Sequence, residues 1–245
     1  MQRRFSLTVV SCLFGLGLVS TVPSALAQAG PDIFVTPVPH APFHGVVHVA
    51  RSIVQPDGSV LKLKTVREIG RDSRGRIHNE ARSMVPFSTN QEPQIVRIHL
   101  FDPETRTSTM LDPQARTFSS MTVNHPPATV PPRLIYASPT GGALPPNEFT
   151  KEEDLGMREM EGGSVHGVRE IQTITAESSG AGKDIVVTDE YWYSDDLRIN
   201  MEIVHNDPRT GSVTMTVTQV TRSEPDAALF EIPQGYRRPK PGQMQ

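Results

Sequence analysis

The feature that most constrains this chain is an alternation of apolar and polar residues, broken by turn chemistry at intervals of about ten residues. Successive side chains of a strand point to opposite faces, so the alternation builds half-buried strands and its punctuation folds them into an antiparallel meander. Residues 43–54 read as a strand, Gln55-Pro56-Asp57-Gly58 as its turn, and residues 60–69 as the return strand. Arg71-Asp72-Ser73-Arg74-Gly75-Arg76 is the next turn and leads into residues 77–85. Residues 94–101 alternate most cleanly, with Val96, Ile98 and Leu100 on one face and Arg97 and His99 on the other. Asp-Pro turns recur at Asp102-Pro103, Asp112-Pro113 and Asp207-Pro208; Asp accepts local backbone donors and Pro arrives with its φ already set. The first two frame a short strand at 107–111. Further strands are expected at 153–160, 164–175, 185–193, 197–205 and 212–221. Leu197, Ile199, Met201 and Ile203 oppose Arg198, Asn200 and Glu202, and Val213, Met215 and Val217 oppose Thr214, Thr216 and Thr218. No window supports an amphipathic helix longer than a turn or two, the best short candidate being 225–230, where Glu224 or Asp226 can stabilise the first turn. The expected fold class is all-β: a curved antiparallel sheet or unclosed barrel of about ten strands with little helix.

Two stretches break the pattern. Residues 28–42, with Pro31, Pro37, Pro39 and Pro42, have no period and read as an extended leader. Residues 124–147 hold seven prolines plus Gly141 and Gly142, which suits neither a helix nor a central strand. A sheet of this size must hide its apolar face by closing, by meeting a second sheet, or beneath an overlying segment. The 124–147 segment, with Leu134, Ile135 and Tyr136 in its middle, is the candidate lid across the concave face. Residues 43–245 are expected to form one β-rich domain that includes this loop.

The N-terminus bounds the compartment. Arg3 and Arg4 precede a run without charge from Phe5 to Pro31, apolar over 7–22 and closing on Ala25-Leu26-Ala27. This is the pattern of a secretory signal, with cleavage expected after Ala27; an uncleaved anchor helix is the rival reading. The expected location is therefore the periplasm or the exterior, with no integral span after cleavage. Cys12 is the only cysteine and lies too early in the apolar run for lipoprotein processing. Removing 27 of the 245 residues leaves 218 without a thiol, which excludes disulfides, thiol catalysis and thiolate metal sites. Arg3 and Arg4 leave with the signal, so 22 basic residues face 27 acidic ones, a net charge of −5. Such a balance gives no electrostatic reason to expect nucleic acid or anionic headgroups as partners.

The C-terminal third carries a resemblance. Tyr191-Trp192-Tyr193-Ser194, then Asp207-Pro208-Arg209-Thr210-Gly211, then Glu224-Pro225-Asp226 followed by Leu229-Phe230, Pro233 and Gly235-Tyr236, resembles a family of exported bacterial proteins of uncharacterised role. More remotely it is similar to the outer-membrane lipoprotein-carrier-like superfamily. The turn from Arg71 to Arg76 followed by Glu80 resembles the N-terminal part of the same family. The superfamily resemblance implies a strongly curved, unclosed antiparallel sheet whose hollow binds acyl chains or a partner protein. Carriers open with an amphipathic helix that plugs the hollow, and residues 28–50 depart from this, holding Pro and His without helical period.

The motifs of chemistry have weak support. His40, His44 and His48 lie close in sequence, but residues four apart on a strand sit about 13 Å from each other, too far to share one ion. Ser59-x-x-Lys62 matches the nucleophile motif of penicillin-recognising enzymes, yet follows a turn and lacks the companion elements. Asp195-Asp196 and Asp189-Glu190 are better read as solvated charge than as a glycosidase pair, because strand neighbours face opposite sides. The Arg71, Arg74, Arg76 cluster reads as a soluble hairpin tip. Tyr191 and Tyr193 share a face, with Trp192 on the other. No catalytic residue, metal ligand or cofactor is expected. The candidate ligand-binding residues are Tyr191, Tyr193, Met201, Leu134 and Tyr136. The leading functional reading is a non-enzymatic periplasmic binding or carrier-like module for an apolar ligand or lipoprotein. The alternatives are an envelope scaffold or protein-interaction module and an exported hydrolase.

Overall fold

Antiparallel pairing carries the alternation into a single sheet in the computed structural model, which describes residues 32–123 and 149–239. The strands are β1 (Phe43–Val54), β2 (Val60–Arg71), β3 (Ile77–Arg82), β4 (Val85–Pro86), β5 (Ile95–Asp102), β6 (Thr107–Asp112), β7 (Thr117–Thr122), β8 (Thr150–Met160), β9 (Gly163–Ile174), β10 (Ile185–Ser194), β11 (Ile199–Asp207) and β12 (Gly211–Thr221). Their order is β7-β6-β5-β3-β2-β1-β12-β11-β10-β9-β8, with β4 pairing β2 beyond the end of β3. The chain starts in the middle at β1, walks out to the edge strand β7, re-enters at the opposite edge as β8, and walks back to lay β12 against β1. The sheet is curved and not closed, in agreement with the all-β expectation.

Register assigns the faces. Val217, Val47 and Arg67 lie side by side across β12, β1 and β2, and Thr216, His48 and Val66 form the neighbouring row on the opposite face. Phe43, Val47, Ile69, Ile77, Phe101, Tyr191, Met201, Ile203 and Val217 belong to one core cluster, and the face from which they project is called the inner face here. No second sheet exists among the described residues, so the burial of Ile69, Ile199 and Val217 to zero exposure depends on curl and on a covering segment. Four register shifts, at His44/Val46, Ala81/Arg82, Asp154/Gly156 and Trp192/Tyr193, mark bulges, which bend strands and sharpen twist. On the outer face Trp192 lies over Gly167, where a Cβ would come within 2.5 Å of the ring. The Arg158 guanidinium sits 3.7 Å above the Trp192 ring and reaches Glu202 at 2.6 Å.

Four features depart from the sequence reading. The sheet has twelve strands rather than about ten: the polar edge strand β7 was not expected, and the run 77–85 splits into β3, which pairs with β5, and the short β4, which pairs with β2. Thr175, expected at a strand end, instead caps a single helical turn, α1 (Ala176–Ser179), its hydroxyl accepting from Ser178 N. Leu197, expected as the start of a strand, is buried within a turn that precedes β11. The short helix expected at 225–230 is a 3₁₀ turn, Ala227–Phe230, capped by Asp226. The proposed lid segment lies outside the described residues.

Candidate functional site

The inner face is covered at its centre by the leader. Within Asp32-Ile33-Phe34-Val35 the alternation is short but real: Ile33 is 0% and Val35 8% exposed, while Phe34 between them is 38% exposed. Both buried residues join the core cluster of the sheet. Two arginines of β2 hold the segment down. Arg71, itself fully buried, donates from Nε and Nη2 to Ala41 O at 2.8 and 2.6 Å, from Nη1 to Thr36 O at 2.8 Å and from Nη2 to Leu197 O at 2.8 Å. Its guanidinium also lies 5.1 Å from the Phe43 ring centre. Burial depresses its pKa to about 10, and among the described residues no carboxylate comes within ion-pair distance, so the cation is solvated by main-chain carbonyls. Arg67 donates to Asn79 Oδ1 at 2.8 Å, to Ile33 O at 3.3 Å and to the Asp32 carboxylate.

The turn that follows corrects the expectation of a soluble hairpin tip. Arg71 is buried, and so is Asp72, whose carboxylate accepts from Arg74 N at 3.0 Å, Arg76 N at 2.8 Å and Arg76 Nε at 2.6 Å. A carboxylate that satisfies three donors can be buried because its charge is fully solvated by them. Gly75, at φ +84, packs so tightly on Val38 and Pro39 that a side chain there would meet their backbone at 3.2 Å. Only Arg74 of the three arginines projects substantially into water.

The structure brings together three of the five candidate binding residues. Tyr191, Tyr193 and Met201 are 4%, 1% and 1% exposed and share the core cluster with Ile33 and Val35. Leu134 and Tyr136 lie outside the described residues. Arg67 and Ile33 were not singled out from sequence and Arg71 was read only as part of a hairpin tip, although Arg67 and Arg71 share the parity of Ile69 on their strand, a signal that two arginines face the core.

Farther along the inner face, Glu152, Glu170, Asp189 and His205 stand in one row across β8, β9, β10 and β11. Burial, together with the charges of Asp189 and Glu152, pushes the Glu170 carboxyl up to about 7. A 2.7 Å hydrogen bond to Asp189 raises the His205 imidazole. The Tyr191 phenol is raised by burial and by the Asp189 and Glu170 charges. Toward the sheet edges the inner face carries exposed methionines: Met110 on β6, Met121 on β7 and Met157 on β8 are 40%, 67% and 64% exposed.

The other sequence candidates do not assemble. His44 pairs with Glu68 at 3.4 Å, His48 lies farther along the same strand face, and His40 sits in a turn with its N–H on Ser73 O. Among the described residues no group of three His, Cys, Asp or Glu is placed to hold a metal ion. Ser59 lies in a turn organised by Asp57. Asp189 and Glu190 face opposite sides, toward His205 and Arg169. Among the described residues no helix is long and apolar enough to cross a membrane.

No family profile and no curated protein sequence matches the chain. Among solved structures, MucB of Pseudomonas aeruginosa, in complex with MucA, is similar over 78% of this chain and 55% of that chain, with 10% identity and a TM-score of 0.39, so the present chain spans about half its length. A LolA superfamily protein from Nitrosomonas europaea is similar over 79% of this chain and 91% of its own, with 8% identity and a TM-score of 0.30. The lipoprotein LppX of Mycobacterium tuberculosis is similar over 74% and 88%, with 15% identity and a TM-score of 0.25. Structures similar to this chain also include an outer-membrane lipoprotein-sorting protein domain from Vibrio parahaemolyticus, over 74% of this chain and 85% of its own, with 8% identity and a TM-score of 0.25.

Proposed function

We propose that the chain is an exported, non-enzymatic binding or carrier-like module of the periplasm whose inner face takes an apolar ligand or the acyl part of a lipoprotein. One observation carries the reading: the leader covers the middle of the curved apolar face, yet the same face remains open toward both edge strands at Met110, Met121 and Met157. Methionine is unbranched and polarisable, so such a surface adapts to chains of differing shape. Tyr191, Tyr193 and Met201 form the floor beneath the leader, and a ligand that reaches them replaces Ile33 and Val35. Leu134 and Tyr136 are proposed to contact the same ligand on sequence grounds alone. A fluorescent fatty-acyl probe titrated into the mature protein is expected to bind saturably, with affinity lowered about tenfold by Met121→Glu or Met157→Glu. Absence of saturable uptake, for this probe and for a diacylated peptide, contradicts the reading and favours the scaffold alternative.

The scaffold alternative has its own constraint. The edge strand β8 presents Lys151, Glu152, Glu153 and Asp154 in succession, charge that opposes pairing with another strand. A protein partner would therefore meet side chains of the sheet rather than extend it.

A further inference from the structure

The outer face carries a groove that the inner-face reading does not use. Two rows of side chains form its floor across β12, β1 and β2: Thr216, His48 and Val66 in one, and Thr214, Ala50 and Lys64 in the next. Ala50, in the middle, is the small residue that leaves a depression. The loop 87–93 folds over this floor as a wall, contributing the Phe87 ring and the Asn90, Gln91 and Glu92 side chains around a space of about 570 Å³. That volume falls within the range of small-molecule sites.

The chemistry of the lining selects among ligands. The side chains of His48, Asn90, Gln91, Glu92 and Thr214 make no hydrogen bond to any other described residue, although they converge on one space; intramolecular partners are the usual fate of such groups only when they are buried. Thr, Asn and Gln each both donate and accept. Hydroxyl groups on a ligand have the same dual capacity, so the lining complements a polyol. One ammonium, Lys64, and one carboxylate, Glu92, leave the groove without the cationic excess that an anion requires. Most of the exposed lining, Ala50, Val66, Phe87 and Pro93 included, is apolar, but the groove is open to water and lacks the enclosure that an acyl chain requires. Phe87 is 54% exposed, with Lys64 Nζ 5.4 Å from its ring centre, and presents an aromatic surface for the C–H face of a pyranose ring. We propose that this groove, formed by β12, β1, β2 and the loop 87–93, binds a neutral oligosaccharide segment, separately from any ligand of the inner face.

Amide chemical-shift mapping of the isotopically labelled mature protein against maltotriose and triacetylchitotriose tests this, with palmitate and inorganic phosphate as comparators. The expected result is saturable shifts from at least one sugar, confined to residues 48–50, 64–66, 87–93 and 214–216, and none there from palmitate or phosphate. Phe87→Ala and Asn90→Ala, both at exposed positions of the wall, are expected to weaken sugar binding about tenfold each without moving the urea midpoint. The proposal is overturned if neither sugar gives saturable shifts at the groove, if both variants bind as the unaltered protein does, or if palmitate or phosphate occupies the groove in the sugars' place. Acyl binding at the inner face has its own probe and its own variants, so either reading can fail while the other stands.

Discussion

The leader and the C-terminal tail both lie outside the twelve strands and both cross the sheet, on opposite faces, yet they are attached in different ways. The leader is embedded: Ile33 is fully buried, and Arg71 and Arg67 donate to its carbonyls and to Asp32. The tail is clasped at points. Glu224 accepts from Ser73 N and Oγ, Leu229 O accepts from His78 Nδ1 at 2.8 Å, the Phe230 ring lies under Arg76 at 5.0 Å, and Arg237 makes a bridge with Thr117 at the sheet edge. Between these points the tail is open to water, as Ile232 at 40% exposure shows. The inner face is aliphatic and aromatic through its middle and needs a continuous apolar cover there, whereas the outer face mixes buried Leu100 and Leu111 with ion pairs such as Glu80 with Arg82 at 2.7 Å. The demand of the face, rather than the composition of the segment, sets how deeply the cover is held.

The largest effect in this comparison belongs to Arg71. Arg71→Met keeps the apolar bulk but strips partners from the carbonyls of Thr36, Ala41 and Leu197, an expected loss of about 3–5 kcal/mol measured by urea unfolding. Arg71→Lys, which keeps a charge but not the planar fork, is expected to recover less than half of that loss. Next comes Ile33→Ala, expected to cost about 2–4 kcal/mol, against about 0.5 kcal/mol or less for Phe34→Ala beside it. Equal losses at the two positions would break the distinction between an embedded and a loosely attached leader.

How far these roles were legible depended on whether the cause was local. β1 was read at its full extent because its alternation and the Pro-Asp-Gly turn after it are both local signals. β7 was missed because Thr117-Phe118-Ser119-Ser120-Met121-Thr122 is an exposed edge that needs little apolar content. The burial of residues 32–36 of the leader depends on Arg67 and Arg71 some 35 residues away and could not be read from its prolines. Alternation put Tyr191 and Tyr193 on one face of β10, while Met201 was joined to them only as lining of the hollow that the resemblance implies; all three lie in the core cluster. The row of Glu152, Glu170, Asp189 and His205 follows only from the order and register of four strands, which no local pattern encodes.

That row supplies a smaller, pH-dependent effect. The Glu170 carboxyl is raised from 4.5 to about 7 in the folded chain, so the folded state binds a proton that the unfolded state has lost. Its contribution to stability is fully present below pH 4.5 and is lost as the pH rises through about 7. Glu170→Gln is expected to flatten this decline in the thermal midpoint, and an unchanged pH profile would contradict the assignment. The smallest effect is expected at the tail: Glu224→Ala removes an exposed clasp on Ser73 and should cost below about 1 kcal/mol.

The central claim is that the leader is part of the core and seals the middle of the inner face. Because Cys12 is the only thiol, a Cys12→Ser background carrying either Ile33→Cys or Phe34→Cys reports accessibility at a single position with a thiol reagent. The account predicts that the cysteine at 34 is labelled rapidly in native buffer, and that the one at 33 is labelled at least about a hundredfold more slowly until urea unfolds the chain. Comparable rates at the two positions in native buffer would show that the leader does not lie on the sheet.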